Sequence, residues 1–264
     1  MYLFLLILCL FMLSMILQAG YLKREYMTFG DSDPTLRVAL LTDLHMGLLM
    51  VSEKDVAKAL LEERPDLLII AGDIIDKESH IRAFTRWFKE IAPDCPVFVT
   101  LGNHDHLCFK KKPRAKELFE FNLRSLGIEL LVNDCITFHK KGRSINLVGI
   151  DDYRRGHPDT RTALLKKDTR ADLTLAITHN PEAVLSLPQG EVDLVLAGHF
   201  HGGQIWMPFG LEFKLFRNEQ TCRAGYRRGL HQINGTPTYI SRGLGNVEVP
   251  FRLGSFPEIT FIDL

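Results

Sequence analysis

A chain of 264 residues with 46% hydrophobic composition can bury a sizeable core and is not a disordered polymer. Lys plus Arg and Asp plus Glu both number 32, giving zero formal net charge, which argues against a protein built to coat nucleic acid. The five cysteines contain no C-x-x-C pair, which excludes metal-finger and disulfide-framework spacings and reads as free thiols in a reducing compartment.

Met1 to Leu22 carry no charged side chain, and ~20 apolar residues are what a bilayer-crossing helix needs. A secretory signal has positive charge before its apolar part, whereas here Lys23 and Arg24 follow it. That placement predicts an uncleaved single-pass anchor in a cell (inner) membrane, with the rest of the chain cytoplasmic. A signal peptide cut after Gln18, Ala19 or Gly20 and a buried N-terminal helix are the alternatives. The expected organisation is an anchor at 1–22, a linker at 23–34 and one domain at 35–264.

Leu36 to Leu41 has the bulk of a central strand and ends in Thr42-Asp43-Leu44-His45. Ser52 and Asp55 open a predicted helix that runs to Glu63, before Pro65. The next strand, Asp66 to Ala71, ends in Gly72-Asp73-Ile74-Ile75-Asp76, completing a strand, helix, strand unit. Ser79 to Ile91 places Ile81, Phe84, Phe88 and Ile91 at helical intervals and leads to the strand Val97 to Leu101. Its tip is Gly102-Asn103-His104-Asp105: an amide oxygen, an imidazole and a carboxylate delivered by a buried strand.

Residues 108–116, C-F-K-K-K-P-R-A-K, form the strongest basic cluster, either a solvated loop or a patch, Lys110 included, for phosphates or anionic headgroups. Glu117 to Leu126 reads as a helix stopped by Gly127. Ile128 to Val132, Cys135 to Phe138 and Ser144 to Ile150 are strand candidates, the last ending in Asp151-Asp152. Leu173 to Thr178 ends in His179-Asn180-Pro181, and Asp193 to Ala197 in Gly198-His199-Phe200-His201. Beyond that the chain is β-like, with Thr238 to Ser241, then Arg242-Gly243-Leu244-Gly245, and a closing strand Ile259 to Leu264.

Taken together, strands end in D-x-H (43–45), G-D-x-x-D (72–76), G-N-H-D (102–105), a lone His179 and G-H-x-H (199–201). One such tip is unremarkable, but five converging ones would crowd polar groups together unless metal satisfies them. In order and spacing these blocks resemble the calcineurin-like metallophosphoesterases. The resemblance implies a four-layered α-β-β-α sandwich of two mixed sheets, here preceded by an N-terminal transmembrane helix, with a dinuclear centre. Carried onto this chain, it implies one ion held by Asp43, His45, Asp73 and His201. A second would be held by Asp73, Asn103, His179 and His199. His104 would contact the phosphate and protonate the leaving oxygen, with Asp105 or another acceptor orienting its ring, and Asp76 would lie behind the ligands. The mixed donors suit Mn, Fe or Zn rather than Ca. Phe200 departs from the common pattern, in which a small polar residue stands between the two histidines. Its side chain is expected to point away from both ions and to alter the pocket lining.

H-N-P at 179–181, G-H-F-H-G-G-Q at 198–204 and S-R-G-L-G at 241–245 are similar to the bacterial membrane-associated YaeI/YkuE-like branch, which includes pyrophosphatases acting on UDP-2,3-diacylglucosamine in lipid A biosynthesis. The implied partner is a phosphorylated small molecule or lipid-linked nucleotide sugar at a membrane. A general phosphodiesterase or phosphatase, or a non-catalytic binding protein, would use the same fold. The aromatic stretch Ile205 to Phe216 either accepts acyl chains or packs Trp206, Phe209, Phe213 and Phe216 between the sheets. Arg227, Arg228 and Arg242 are candidates to clamp a diphosphate. His106 reads as a solvent-facing loop residue, and Asp151 and Asp152 as ordinary loop carboxylates.

Overall fold

A computed structural model describes residues 1–30 and 35–264. In chain order, α1 (Tyr2–Gly20) leads to β1 (Lys23–Thr28), β2 (Arg37–Leu41), α2 (Glu53–Glu63), β3 (Leu67–Ala71), α3 (His80–Ile91) and β4 (Val97–Thr100). Then come α4 (Asn103–Lys111), α5 (Pro113–Ser125), β5 (Ile128–Leu130), β6 (Asp134–Lys140), β7 (Arg143–Gly149), α6 (Thr160–Leu165) and β8 (Leu173–Ile177). The chain closes with β9 (Leu194–Ala197), α7 (Leu211–Phe216), α8 (Gln220–Arg223), β10 (Gly229–Ile233), β11 (Thr236–Ile240) and β12 (Glu258–Asp263).

The strands form two mixed six-stranded sheets, ordered β1-β12-β2-β3-β4-β5 and β10-β11-β9-β8-β7-β6. In the first, β2 to β5 run parallel, with β12 antiparallel to β2; in the second, β7, β8, β9 and β11 run parallel. Alternation along each strand sets the layers, because successive side chains point to opposite faces. Val38, Leu40, Leu67 and Ile69 meet Leu147, Leu175, Leu194 and Leu196 between the sheets. Ala39, Leu41, Leu68 and Ile70 face Val56, Phe84, Phe88 and Phe119 of α2, α3 and α5. On the far side Val148, Ala176 and Val195 pack on Ala163, Val184, Phe213 and Cys222. The expected α-β-β-α sandwich is thus present, and the parallel runs bring the C-terminal ends of β2, β3, β4, β8 and β9 to one edge.

Three expectations are corrected. Lys23–Thr28, assigned to a linker, is a strand parallel to β12, registering Lys23 with Glu258; residues 31–34 of that linker lie outside the described residues. The basic cluster is not a loop: it spans the last turn of α4 and the start of α5, with Pro113 in the first turn, where its missing N–H is no loss. The sequence stretch 205–228 holds the short helices α7 and α8, which no periodicity signalled.

The helix α1 is long and apolar enough to cross a membrane. Its first twelve residues are exposed, and only Met15 and Ala19, near its C-terminal end, are buried. There the Met15 carbonyl accepts from Arg252 N (3.2 Å) and Gln18 Oε1 accepts from Gly254 N (2.9 Å).

Candidate metal centre

Where the strands end, the backbone turns sharply. Asp43, His45, Asp73, His199 and His201 all have left-handed φ, between 41° and 77°, a conformation that costs energy for residues with a Cβ. The loops can close only because glycines leave room. A Cβ on Gly102 would lie 2.2 Å from Asp73 Oδ1, and one on Gly198 would lie 2.3 Å from Asp43 Oδ2.

The resulting cluster is buried. His201 Nε2 lies 3.2 Å from Asp43 Oδ1, and His179 Nε2 lies 3.0 Å from Asp73 Oδ2 and 3.8 Å from Asp43 Oδ1. His45 Nε2 is 3.6 Å from Asp73 Oδ2, and His199 Nδ1 is 3.1 Å from His179 Nε2. Donor atoms of Asp43, His45 and His201 gather within 4.8 Å of one another, as do those of Asp73, His179 and His199.

The tautomers fixed by neighbours decide whether these groups suit cations. His179 Nδ1 donates to the Ala71 carbonyl at 3.0 Å, and His45 Nδ1 is 2.9 Å from Asp76 Oδ1. Each ring thereby turns its Nε2 lone pair into the cluster, the arrangement by which acceptors behind a histidine prepare it for metal. Among the described residues, His45 Nε2, Asn103 Oδ1 and His201 Nδ1 are buried with no hydrogen-bond partner. Orphaned acceptors beside two buried carboxylates are costly unless a positive charge joins them, so the donor set fits a pair of divalent ions.

Protons report the same demand. Burial opposes the His179 imidazolium, yet Asp73 and Asp43 push its pKa up to about 10. Burial works against the Asp43 and Asp73 anions, but the facing histidines hold both carboxyls below the usual range. His199 is drawn down to about 4, by burial first, with Arg217 and His179 adding to it against Glu219.

A model of the calcineurin-like phosphoesterases matches residues 36–203, the span that carries all five tips. The chain belongs to that family. As a metallophosphoesterase it is a hydrolase, and its clustered His and Asp side chains point to a dinuclear metal site. It is 29% identical over 230 residues to the uncharacterized metallophosphoesterase YkoQ of Bacillus subtilis, covering 86% of this chain and 82% of that one. It is 29% identical over 246 residues to the phosphodiesterase YaeI of Escherichia coli, covering 89% and 84%. A transmembrane protein with metallophosphoesterase domain from Danio rerio is 31% identical over 245 residues, covering 87% of this chain and 53% of that one.

In this phosphoesterase His104 lies in the first turn of α4, its backbone N–H donating to Asp73 Oδ1 at 2.7 Å and its Nδ1 lying 2.8 Å from Asp76 Oδ1. Asp105 does not orient that ring. Its carboxylate accepts the backbone N–H groups of Ile74, Ile75 and Gly102 at 2.8–3.1 Å, tying the β3 and β4 tips together. Burial, then the nearby Asp73, push its carboxyl up to about 7. The acceptor for His104 is Asp76 instead.

Beside the cluster opens a cleft of about 460 Å³ lined by Asp73, Asn103, His104, His199, Phe200 and His201, with Arg154 and Arg217 as its cations. Neither arginine was singled out from sequence. Arg217 Nη2 donates to the His199 carbonyl at 2.7 Å, and Glu219 Oε1 lies 3.0 Å from His199 Nε2. The four cations expected at the substrate lie elsewhere. Lys110 is exposed on α4 outside the cleft lining, and Arg242 is engaged by Glu258 and Glu25 beyond it. Arg227 stacks 4.4 Å over Phe213, and Arg228 donates to the Gly254 carbonyl.

Phe200 lines the cleft while packing into the outer core. Of the aromatic stretch only Phe213 is buried, so Trp206, Phe209 and Phe216 do not fill the space between the sheets. His106 faces not solvent but Asp151, Nε2 to Oδ1 at 2.6 Å, and Asp151 and Asp152 are both buried.

Proposed function

We propose that the chain is a dimetal hydrolase of phosphodiester or phosphoanhydride bonds working at a membrane. Asp43, His45, Asp73 and His201 hold one ion, and Asp73, Asn103, His179 and His199 hold the other, with manganese the preferred metal over iron or zinc. The observation that carries this reading is the pair of orphaned buried acceptors His45 Nε2 and Asn103 Oδ1 in a cluster where His45 Nε2 and His201 Nε2 face the Asp73 and Asp43 carboxylates.

Cations held by these residues would supply an activated water nucleophile and charge to offset that on the phosphoryl oxygens. The chain's own groups do the rest. Arg154 and Arg217 draw the anionic substrate into the cleft, where they form charge-assisted hydrogen bonds to its free phosphoryl oxygens. His104, steadied by Asp76, stands at the cleft wall and passes a proton to the departing oxygen. Phe200 and Phe213 exclude water from the wall beside His199.

The apolar α1, read as a single-pass anchor with the hydrolase on the cytoplasmic side of the inner membrane, supports a substrate drawn from lipid. UDP-2,3-diacylglucosamine, whose cleavage releases UMP in lipid A biosynthesis, is the specific substrate proposed. The test is hydrolysis of that compound and of a generic aryl phosphodiester by detergent-purified chain with manganese, beside Asn103→Ala. Release of UMP that the variant loses supports both parts of the reading. Cleavage of the aryl ester alone keeps the metal centre and discards the lipid nucleotide, and silence on both with metal bound discards the hydrolytic reading.

A further inference from the structure

The outer lip of the cleft is apolar where a water-facing surface would be polar. Trp206 is 56% exposed, Phe209 88%, Leu215 66% and Phe216 71%, all within one stretch of eleven residues. Contiguous exposed apolar side chains of this size mark a surface that meets something other than water. The two acidic side chains of the stretch and its flank are turned inward: Glu212 is buried and accepts Met207 N, and Glu219 faces His199. Of the charges left outward, Lys214, Arg223 and Arg228 are basic, and Glu248, next to Val249 in the cleft lining, is acidic. Exposed aromatic and aliphatic side chains in a segment whose exposed charges are basic match the interface of an anionic lipid leaflet.

Position in the fold selects that occupant. Trp206 N donates to the Leu253 carbonyl at 2.8 Å, and Leu253 N donates to Gln204 O at 2.9 Å. The neighbouring residues of the same segment, Arg252 and Gly254, are the ones bonded to Met15 and Gln18 in the C-terminal turns of α1. The lip is therefore tied, through a single three-residue segment, to the level at which the apolar helix ends. Its inner side, Ile205, Met207 and Phe216 with Val249 opposite, lines the cleft that reaches Asp73 and His199.

We propose that residues 205–216 are a second membrane contact: their tip seats in the leaflet from which α1 emerges, and the cleft takes phosphorylated amphiphiles directly from that lipid surface. The proposal rests on α1 crossing the bilayer and on the hydrolytic reading above.

Tryptophan fluorescence gives a test independent of activity. The chain has two tryptophans, and Trp87 is buried against α3's partners in the core. The full chain is reconstituted in phosphatidylcholine/phosphatidylglycerol vesicles with brominated or plain acyl chains. Emission quenched by bromine in the native chain, with the quenched component absent from Trp206→Phe, is expected. Native emission that bromine leaves untouched overturns the proposal, and if such chains also sediment as dimers the face belongs to a second copy.

A kinetic arm uses Phe209→Asn with Leu215→Gln, neither of which lines the cleft. Asparagine tolerates the left-handed φ of residue 209. KM for a long-chain acylated aryl phosphodiester in vesicles is expected to rise roughly tenfold, while kcat/KM for a water-soluble aryl phosphodiester is unchanged. An equal effect on both substrates overturns the proposal. Bromine quenching in a chain that cleaves neither ester leaves the membrane contact standing and removes the hydrolytic reading. Cleavage without quenching does the reverse.

Discussion

Nδ1 of His104 lies 2.8 Å from Oδ1 of Asp76, and the same oxygen lies 2.9 Å from Nδ1 of His45. One carboxylate thus stands behind both a proposed proton donor and a proposed metal ligand. Burial works to raise the Asp76 carboxyl, but the bonds from His104 and His45 hold it well below the usual range, so it is an anion throughout the working pH. Removing that charge while keeping the shape should release both rings. Asp76→Asn is expected to lower kcat on an aryl phosphodiester by roughly 10- to 100-fold with little change in KM. An unchanged kcat would show that neither ring depends on it.

Metal removal should loosen the edge where the strands converge. Without cations, Asp43 and Asp73 face each other's field inside the protein, and the orphaned acceptors have nothing to bind. At a hundredfold excess over Kd, bound ligand stabilises by about 2.7 kcal/mol. For a chain of this size that corresponds to roughly 5–10 °C in Tm. Thermal scans with and without chelator should resolve the shift, and Asn103→Ala should diminish it. Identical scans in both conditions would be incompatible with a metal-filled centre.

The two cleft arginines should separate kinetically. Arg154 lines the cleft without touching the proposed ligands, so Arg154→Ala is expected to raise KM for a phosphodiester roughly tenfold and to leave kcat largely intact. Arg217 also grips the His199 carbonyl and lies 3.3 Å from His199 Nε2. Arg217→Ala should therefore reduce kcat as well, and lower metal content measured by mass spectrometry. Equal kinetic defects in the two variants would mean that the grip on His199 is incidental.

How much of this was legible beforehand follows from what each residue depends on. Asp43, Asp73, His179 and His201 terminate apolar runs, and a buried parallel strand leaves only its tip for polar chemistry, so their place is written locally. Asp105 sits in the same tip, yet whether a carboxylate meets an imidazole or three N–H groups is set by how Gly72 to Ile75 curl back over it. That is a tertiary matter. Arg217 and Glu219 were missed for a similar reason. They reach His199 from a segment of short helices with no regular period, and nothing in Arg-Asn-Glu distinguishes them from a solvated turn. Arg242 misled because a lone arginine beside a glycine-rich tip looks like a phosphate clamp. Its partners, Glu25 and Glu258, come from the two ends of the chain and meet it only once β1 and β12 pair.

The His106–Asp151 pair connects α4 to the loop after β7 and should leave a trace in the pH dependence of stability. Burial disfavours the His106 imidazolium, but the bond to Asp151 outweighs it and raises the pKa above its ordinary value. Asp151 shows the converse: burial works upward, and His106 with the backbone N–H of His157 pulls it below the usual range. A raised histidine contributes stability that is complete below its unfolded pKa of about 6.5 and fades as pH rises through the folded value. A depressed carboxylate contributes stability that is complete above about 3.9 and fades as pH falls through its folded value. The pair is therefore at full strength between roughly pH 4 and 6.5 and weakens on the alkaline side. The His106 ring is partly solvated, so the alkaline loss is on the order of 1 kcal/mol. Urea midpoints of the chelated protein from pH 5 to pH 9 should fall accordingly, and His106→Gln should remove that part of the slope. A slope of the same size in the variant would assign the alkaline loss to other groups.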